Sequence, residues 1–355
     1  MTTVYLVEAL KSLPRVLTQL NRSQPSSTFG CFDRDYWHYT TTDFPSMRKQ
    51  EAVLSLAYAY AIDNKANLYA HSPLLKSFLV AALEYWERQS ARGLDEWYPG
   101  EDSFVCNAFN LYAITKTYLV LDEKPSAESL KRIVSIAEKL LIAEEKRVQN
   151  QFSAVPIGLW NVYLLTGDKR FKDASREKVR LLAKLQHDDG WFLEYGGADI
   201  GYLSLAVHYL AQYYVASKDD VAKTIVEKAC DFLVFFLHPD GSTGGEYGSR
   251  NTDYLIPSGF ELLAKECPKE LPSASMIASF VREGLQKHSF PGPAELDDRY
   301  LLYTFSTYFE AHIAAGQLHS VKLPPFAKPF TKTFTDLGIT VHNSKHHYFV
   351  CKKNT

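Results

Sequence analysis

Asp189-Gly190-Trp191-Phe192-Leu193-Glu194-Tyr195-Gly196 and Asp240-Gly241-Ser242-Thr243-Gly244-Gly245-Glu246-Tyr247-Gly248 are two copies of one turn, each an Asp-Gly pair followed by Glu-Tyr-Gly. Asp-Gly punctuates a chain because glycine enters the left-handed backbone region without a Cβ penalty. In both copies a second tyrosine follows seven residues after the first, at Tyr202 and Tyr254, and leads into an apolar stretch of helical period. The copies lie about 52 residues apart, and a period of that size marks an architecture of stacked supersecondary units.

A looser copy, Glu96-Trp97-Tyr98-Pro99-Gly100-Glu101-Asp102, lies about 97 residues upstream of the first, which is close to two periods. Between and beyond these copies, Gln151 to Pro156, Asp43 to Ser46 and Leu296 to Arg299 also lead from loop into helix. Six loop-to-helix junctions result, near Asp43, Asp102, Ser153, Asp199, Asn251 and Asp298. Apolar periodicity near 3.6 predicts a helix before each junction, at 4–21, 71–90, 125–148, 170–187, 219–237 and 273–288, and one after it, at 46–61, 103–120, 155–166, 200–216, 253–265 and 298–316. The first set is charged on one face, as an outer ring meeting water requires; the second is richer in Tyr, Ala and Phe and suits an inner ring. Lone hairpins cannot bury these faces, so the expected fold is all-α, an (α/α)6-type toroid of about six hairpins over residues 1–320. Residues 321–355 read as a proline-marked linker and two strand-like runs, Phe334–Val341 and His347–Val350, expected to begin an incomplete β domain.

Composition narrows the function. The chain has 355 residues, 46% hydrophobic and 14% aromatic, enough to bury a large core. Its net charge is −2 with both signs mixed throughout, so no basic stripe for nucleic acid is present. The longest apolar runs, such as Phe232 to Leu237, fall far short of a membrane span. Five scattered cysteines without a CxxC pair fit a reducing compartment and argue against structural zinc, and no signal-peptide pattern opens the chain. These features predict a cytoplasmic protein with no metal and no cofactor. No phosphate loop, GxSxG, HExxH or dinucleotide fingerprint is present.

The stretch at 189–204, the EYGSRN at 246–251, and the order of toroid then strands resemble the α/α-toroid superfamily, most closely the heparinase II/III-type and chondroitin/alginate-lyase-type proteins. The likeness covers the toroid part. It implies a carbohydrate-active protein with poly- or oligosaccharide as partner, resembling lyases that break a 4-linked uronate chain by β-elimination. Lys184 to Trp191 is also similar to the repeats of terpenoid cyclases, but no DxDD acid motif or zinc triad accompanies it.

In a toroid the junction loops gather around the axis, so their residues are the candidates. β-Elimination on a uronate needs a base, an acid and a cation for the carboxylate. Tyr247, His38, Arg250 and Asn251 are the catalytic candidates, with Arg250 on the carboxylate and lowering the pKa of Tyr247, and His38 as the partner of Tyr247. Tyr36, Trp37, Trp97, Tyr98, Asn107, Trp191, Tyr195, Asp199, Tyr202, Tyr254, Asp298 and Arg299 are the substrate-binding candidates, flat rings for stacking on sugars and polar groups for hydroxyls. Two alternatives stay open: a glycoside hydrolase using two carboxylates among Asp43, Asp102, Asp199 and Asp298, and a non-catalytic toroid that binds a glycan or a protein. Those four acids also suit helix N-caps. Asn251 reads equally as a cap, Arg250 as a partner of Glu246, and the large rings as a barrel plug.

Overall fold

The computed structural model describes residues 2–318, 322–344 and 346–353. Among them run thirteen α-helices: α1 Val4–Gln19, α2 Val53–Ala61, α3 Pro73–Ser90, α4 Phe104–Leu121, α5 Ala127–Ile142, α6 Gln149–Thr166, α7 Lys169–Leu185, α8 Ile200–Ser217, α9 Asp220–Leu233, α10 Pro257–Glu266, α11 Pro272–Lys287, α12 Asp298–Thr304 and α13 Ser306–Ala314. Strands β1 Phe330–Phe334, β2 Ile339–Asn343 and β3 Tyr348–Lys352 follow. Every helix expected from periodicity has a counterpart, and the expected 298–316 helix divides at Phe305 into α12 and α13. The helix expected from 253 begins only at Pro257. Proline fits the first helical position, and it holds Ile256 in an extended conformation.

The chain divides into two compact units, the first Met1–Glu144, Ala154–Ser175 and Pro293–Glu310, the second Glu145–Ser153, Arg176–Gly292 and Ala311–Thr355. In the first, α2 packs on α4, and α3 packs on α2 and α5. α4 is buried on every side from Val105 to Thr115, whereas α5 buries only Ser129, Ile133, Ile136, Ala137 and Leu140. Such a stripe leaves the charged face of α5 to water, as expected for the helices that precede the junctions. In the second unit α8 packs on α9 and α10, and α10 on α11. The same division recurs there: α8 is buried almost all round, and α9 along the stripe Ala222, Ile225, Val226, Ala229 and Leu233.

The repeat is visible at atomic scale in two glycine turns. Gly190 sits at φ +102°, and a Cβ there would come within 2.1 Å of the Lys228 carbonyl oxygen; Gly30 sits at φ +90°, and its Cβ would come within 2.1 Å of the Ala81 carbonyl. Each turn rests directly on a helix backbone, so only glycine fits. A glutamine fastens each one. The Gln186 amide donates to the Gly190 and Ile225 carbonyls, and the Gln50 amide to those of Gly30 and Ala82.

Of the four junction acids, only Asp199 caps a helix, accepting from the Tyr202 N–H at 3.1 Å. Asp102 lies at φ +43° and binds Lys139, and Ser103 occupies the position before α4. Asp43 lies in a bend before the 3₁₀ helix Met47–Ala52. At α12 the cap is Asp297, which accepts from the Tyr300 N–H at 2.9 Å, while Asp298 pairs with Arg15. Asp297→Ala is therefore expected to cost about 1 kcal/mol, and Asp298→Ala, which removes a half-exposed ion pair, well under that. Urea unfolding of the two variants checks the order.

The strands form an antiparallel sheet in the order β1-β2-β3, with Phe334 opposite Ile339 and Val341 opposite Val350. The sequence pattern gave two runs; among the described residues there are three strands. The expected 334–341 run is split by a 3₁₀ turn at Thr335–Leu337, and β1 was hidden because its Thr331-Lys332-Thr333 centre lacks an apolar alternation. The sheet lies against the end of α9: the Phe334 ring centroid is 4.8 Å from that of Phe232 and 5.5 Å from that of Phe236, and Phe330 approaches Phe235 at 5.7 Å.

Candidate functional site

The first unit carries a cleft of about 360 Å³ lined by Asp33, Asp35, Tyr36, Thr41, Thr42, Phe44, Ser46, Lys49, Glu96, Trp97, Arg299 and Tyr303. Three segments build it. The first is the stretch 33–49, in which Tyr36, Trp37 and Tyr39 lie on a five-residue π-helix, Asp35–Tyr39, whose wide turn is closed by Thr40 in the left-handed region. Asp33 anchors this segment, accepting from the Ser46 N–H at 2.7 Å and from Lys49 Nζ at 2.8 Å. Lys49 also lies 3.5 Å from the exposed carboxylate of Asp35, so one ammonium holds both acids.

The second segment is the Glu96-Trp97-Tyr98 loop. The Glu101 carboxylate accepts from the Glu96 and Trp97 N–H groups at 3.1 and 3.0 Å and folds the loop back on itself. Trp97 is 56% exposed and Tyr98 70% exposed, uncommon for such large rings. The third is α12, which supplies Arg299 and Tyr303 one turn apart. The Arg299 guanidinium lies over the Trp97 ring at 4.1 Å, donates through Nη2 to Glu96 Oε1 at 2.9 Å, and donates through Nε to the Tyr303 hydroxyl at 2.9 Å. An indole platform and a carboxylate on one arginine thus share the cleft. Because Tyr303 accepts from Arg299, its own hydrogen remains available to an acceptor in the cleft. Burial pushes its phenol up to about 12 against the pull of Arg48 and Arg299, so it stays a donor at neutral pH.

Beneath this surface Arg48 and Glu51 form a buried ion pair. Burial pushes the Glu51 carboxyl up to about 7, outweighing the attraction of Arg48.

A second group lies in the other unit. The Tyr247 hydroxyl is 3.0 Å from His238 Nε2, and His238 Nδ1 is 2.8 Å from Ser242 Oγ, which itself donates to Asp240 at 2.7 Å. With its hydrogen given to Asp240, Ser242 accepts from His238 Nδ1–H, and bare Nε2 accepts from Tyr247. Burial holds the imidazole below its ordinary pKa and so neutral. These residues border a shallow pocket of about 410 Å³ with Pro239, Tyr348, Phe349 and Val350, among whose lining residues there is no Lys or Arg.

The structure thus gives Tyr247 the histidine His238, and Arg250 lies 4.6 Å over the Tyr195 ring. Contrary to the lowered value expected from a nearby cation, burial pushes the Tyr247 phenol well up. Asn251 sits at φ +55°, six residues before α10, and caps no helix. Buried Asp199 shapes this loop, accepting from the Arg250 N–H at 3.0 Å and from the Thr252 hydroxyl. The two Glu-Tyr-Gly copies present opposite faces: Glu194 is buried on the Asn150 N–H and amide with Tyr195 exposed, whereas Glu246 is exposed and Tyr247 half-buried. Three residues separate Asp-Gly from Glu-Tyr-Gly in the first copy and four in the second. The longer connector contains Gly244 and Gly245, both at positive φ (+69° and +121°), which turn the chain just before the second Glu-Tyr-Gly.

The remaining candidates fall as follows. His38 is exposed in the first unit, edge-on to Trp37 and Tyr39, and Trp37 Nε1 donates to the Gln19 carbonyl at 3.1 Å. Asn107 is buried, its amide on the Asp102 carboxylate and the Ser103 carbonyl. Asp298 borders a second opening of about 400 Å³ that shares Asp35, Lys49 and Arg299 with the cleft. Trp191 stacks on His187 at 4.4 Å, Tyr202 lies 6.4 Å from Tyr195, and Tyr254 packs beside Gly201. Lys49, Glu96 and Tyr303 were not among the sequence candidates, although Glu96 adjoins Trp97. Among the described residues no cluster of three or more His, Cys, Asp and Glu side chains is arranged for a metal ion, and no helix is long and apolar enough to cross a membrane.

No protein-family model and no curated protein matches this sequence. Solved structures do resemble it. A mutant of unsaturated glucuronyl hydrolase from Streptococcus agalactiae superposes with a TM-score of 0.60 at 12% identity, over 88% of this chain and 92% of that one. Cellobiose 2-epimerase from Spirochaeta thermophila gives 0.60 at 12% identity, over 88% and 97%. A polysaccharide lyase gives 0.52 at 10% identity, over 88% and 99%. At this identity the likeness shows the fold, a mainly helical chain of the α/α-toroid class with a short C-terminal sheet.

Proposed function

We propose that this chain acts on a poly- or oligosaccharide and cleaves a glycosidic linkage in the first-unit cleft by hydrolysis. The observation that carries the reading is the Trp97–Arg299–Glu96 arrangement: an exposed indole for a sugar face, directly beside a carboxylate held by the same guanidinium. The carbohydrate-active enzymes whose structures resemble this fold support the same substrate class. Both guanidinium contacts to Glu96 fall on Oε1, which leaves Oε2 for a water molecule. In the reaction water attacks the anomeric carbon as the glycosidic C–O bond breaks. Glu96 takes a proton from the attacking water, and the departing oxygen takes one from solvent at the mouth of the cleft. The Tyr303 hydrogen contacts a sugar oxygen.

A second reading, the β-elimination of heparinase II/III-type lyases, draws on the Tyr247–His238 hydrogen bond, in which neutral Nε2 is placed to accept the phenol proton. The absence of Lys and Arg from that pocket's lining leaves a uronate carboxylate without a counter-charge there and favours the first reading.

Trp97→Ala is expected to weaken oligosaccharide binding about tenfold through the lost stacking face. Calorimetric titration with oligosaccharides from a glycosaminoglycan, an alginate and a mannan measures it. Unchanged affinity for a ligand that the protein binds would remove the cleft from the account.

A further inference from the structure

Arg48 does not line the cleft, yet it touches two residues that do. Its side chain is only 10% exposed. The guanidinium carbon lies over the Phe109 ring, 4.4 Å from its centroid, and over the Tyr303 ring, 4.1 Å from its centroid. Nε holds the Glu51 carboxylate, and Nη1 is 3.9 Å from Glu96 Oε1, the oxygen that Arg299 also binds. The local winding explains the pairing. Arg48 and Glu51 sit three apart on the 3₁₀ helix Met47–Ala52, where three residues make one turn and positions i and i+3 eclipse.

We propose that Arg48 is a positioning residue for cleavage in this cleft, fixing the Glu96 carboxylate and the Tyr303 ring from beneath without touching the substrate. The proposal rests on the hydrolytic reading of the cleft. A planar, five-donor cation can lie against aromatic rings while its edge serves two carboxylates, and lysine offers no such fork. Glu51 completes the device, because a buried guanidinium stays in place only while its counter-charge does. The other charged and titratable groups around this pair are Arg299 and Tyr303 from α12, Cys106 from α4, and Glu96 and Glu101 from the loop before it. With its carboxyl pushed up to about 7, Glu51 grips Arg48 as an anion above that pH and loosens below it.

The test compares wild type, Arg48→Lys, Arg48→Met, Glu51→Gln and Glu96→Gln on whichever of a glycosaminoglycan, an alginate and a mannan the wild type cleaves. Thermal melts fix the folded fraction, and Arg48→Lys, which keeps the charge, guards against simple unfolding of Arg48→Met. Arg48→Lys is expected to lower kcat about 10- to 100-fold with KM within about twofold, since misplacing a reacting group by about 1 Å is enough for such a loss. Wild-type kcat is expected to rise with pH through a limb near 7, and that limb to vanish in Glu51→Gln. A kcat for Arg48→Lys within about twofold of wild type, a loss confined to KM, or a limb that persists in Glu51→Gln would each overturn the proposal while Glu96→Gln remains inactive. Activity retained in Glu96→Gln would overturn the cleft reading itself. A substrate-free measurement separates the two failures: the Trp97 emission, taken as wild type minus Trp97→Phe, is expected to shift in Arg48→Lys because Arg299, Glu96 and Trp97 move together, and an unchanged spectrum counts against Arg48 alone.

Discussion

Glu96→Gln lowers kcat by about 10²- to 10⁴-fold on the cleaved glycan, the range that a positioned acid or base contributes. The substitution keeps the side chain's size and leaves an amide oxygen to accept from Arg299 Nη2, so the Trp97–Arg299 stack and the binding of the sugar persist. What is lost is the capacity to take a proton from water. KM within about twofold of wild type, together with the lost kcat, is the expected pattern, measured as reducing ends released over time. An equal loss in KM and kcat would show that Glu96 serves the architecture of the loop.

The second large effect is on stability. Burial raises the Glu51 carboxyl from an ordinary value of 4.5 to about 7. Between those two values the folded chain holds a proton at Glu51 that the unfolded chain has released, so this group's contribution to stability falls as pH rises through that window and is level above it. The difference corresponds to about 3 kcal/mol. Glu51→Gln cannot release the proton. Relative to wild type it is therefore expected to gain about 3 kcal/mol between pH 4.5 and pH 8, read from urea unfolding of both proteins across that range. A relative loss at high pH would mean that the attraction of Arg48 exceeds the cost of burying the carboxylate.

Both predictions concern residues that the sequence pattern did not single out, for a physical reason. Helical periodicity reports which positions face a core, and over long stretches such as α4, α5, α8 and α9 it located the elements and separated those buried all round from those with a charged face. It reads Arg48-Lys49-Gln50-Glu51 as the start of one helix at 46–61. The structure winds that start as 3₁₀ and buries Arg48 and Glu51 beneath the cleft, with Lys49 at its lining. Four consecutive polar residues ahead of a largely apolar run, in an element otherwise poor in charge, were the available signal.

The loop candidates fared unevenly because sequence gives residue types but not the side of the chain they occupy. Trp97 and Arg299, about two hundred positions apart, were both singled out and are in contact. Glu96 was passed over although it adjoins one and binds the other. In the repeated Glu-Tyr-Gly turn the second copy is preceded by one more residue and by two left-handed glycines, and the buried and exposed positions are exchanged, so an alignment by motif equates Tyr195 with Tyr247 while the fold gives them opposite surroundings. The acids at the junctions look alike in sequence, yet one caps a helix, one binds a lysine and one yields the cap to its neighbour Asp297.

The most direct test of the central claim is the product that accumulates from a glycosaminoglycan, an alginate or a mannan, measured as reducing ends and as ultraviolet absorbance of an unsaturated uronate, for wild type, Glu96→Gln and Tyr247→Phe. The account predicts reducing ends without new absorbance, abolished in Glu96→Gln and within about twofold of wild type in Tyr247→Phe. New absorbance that survives in Glu96→Gln and disappears in Tyr247→Phe would contradict it.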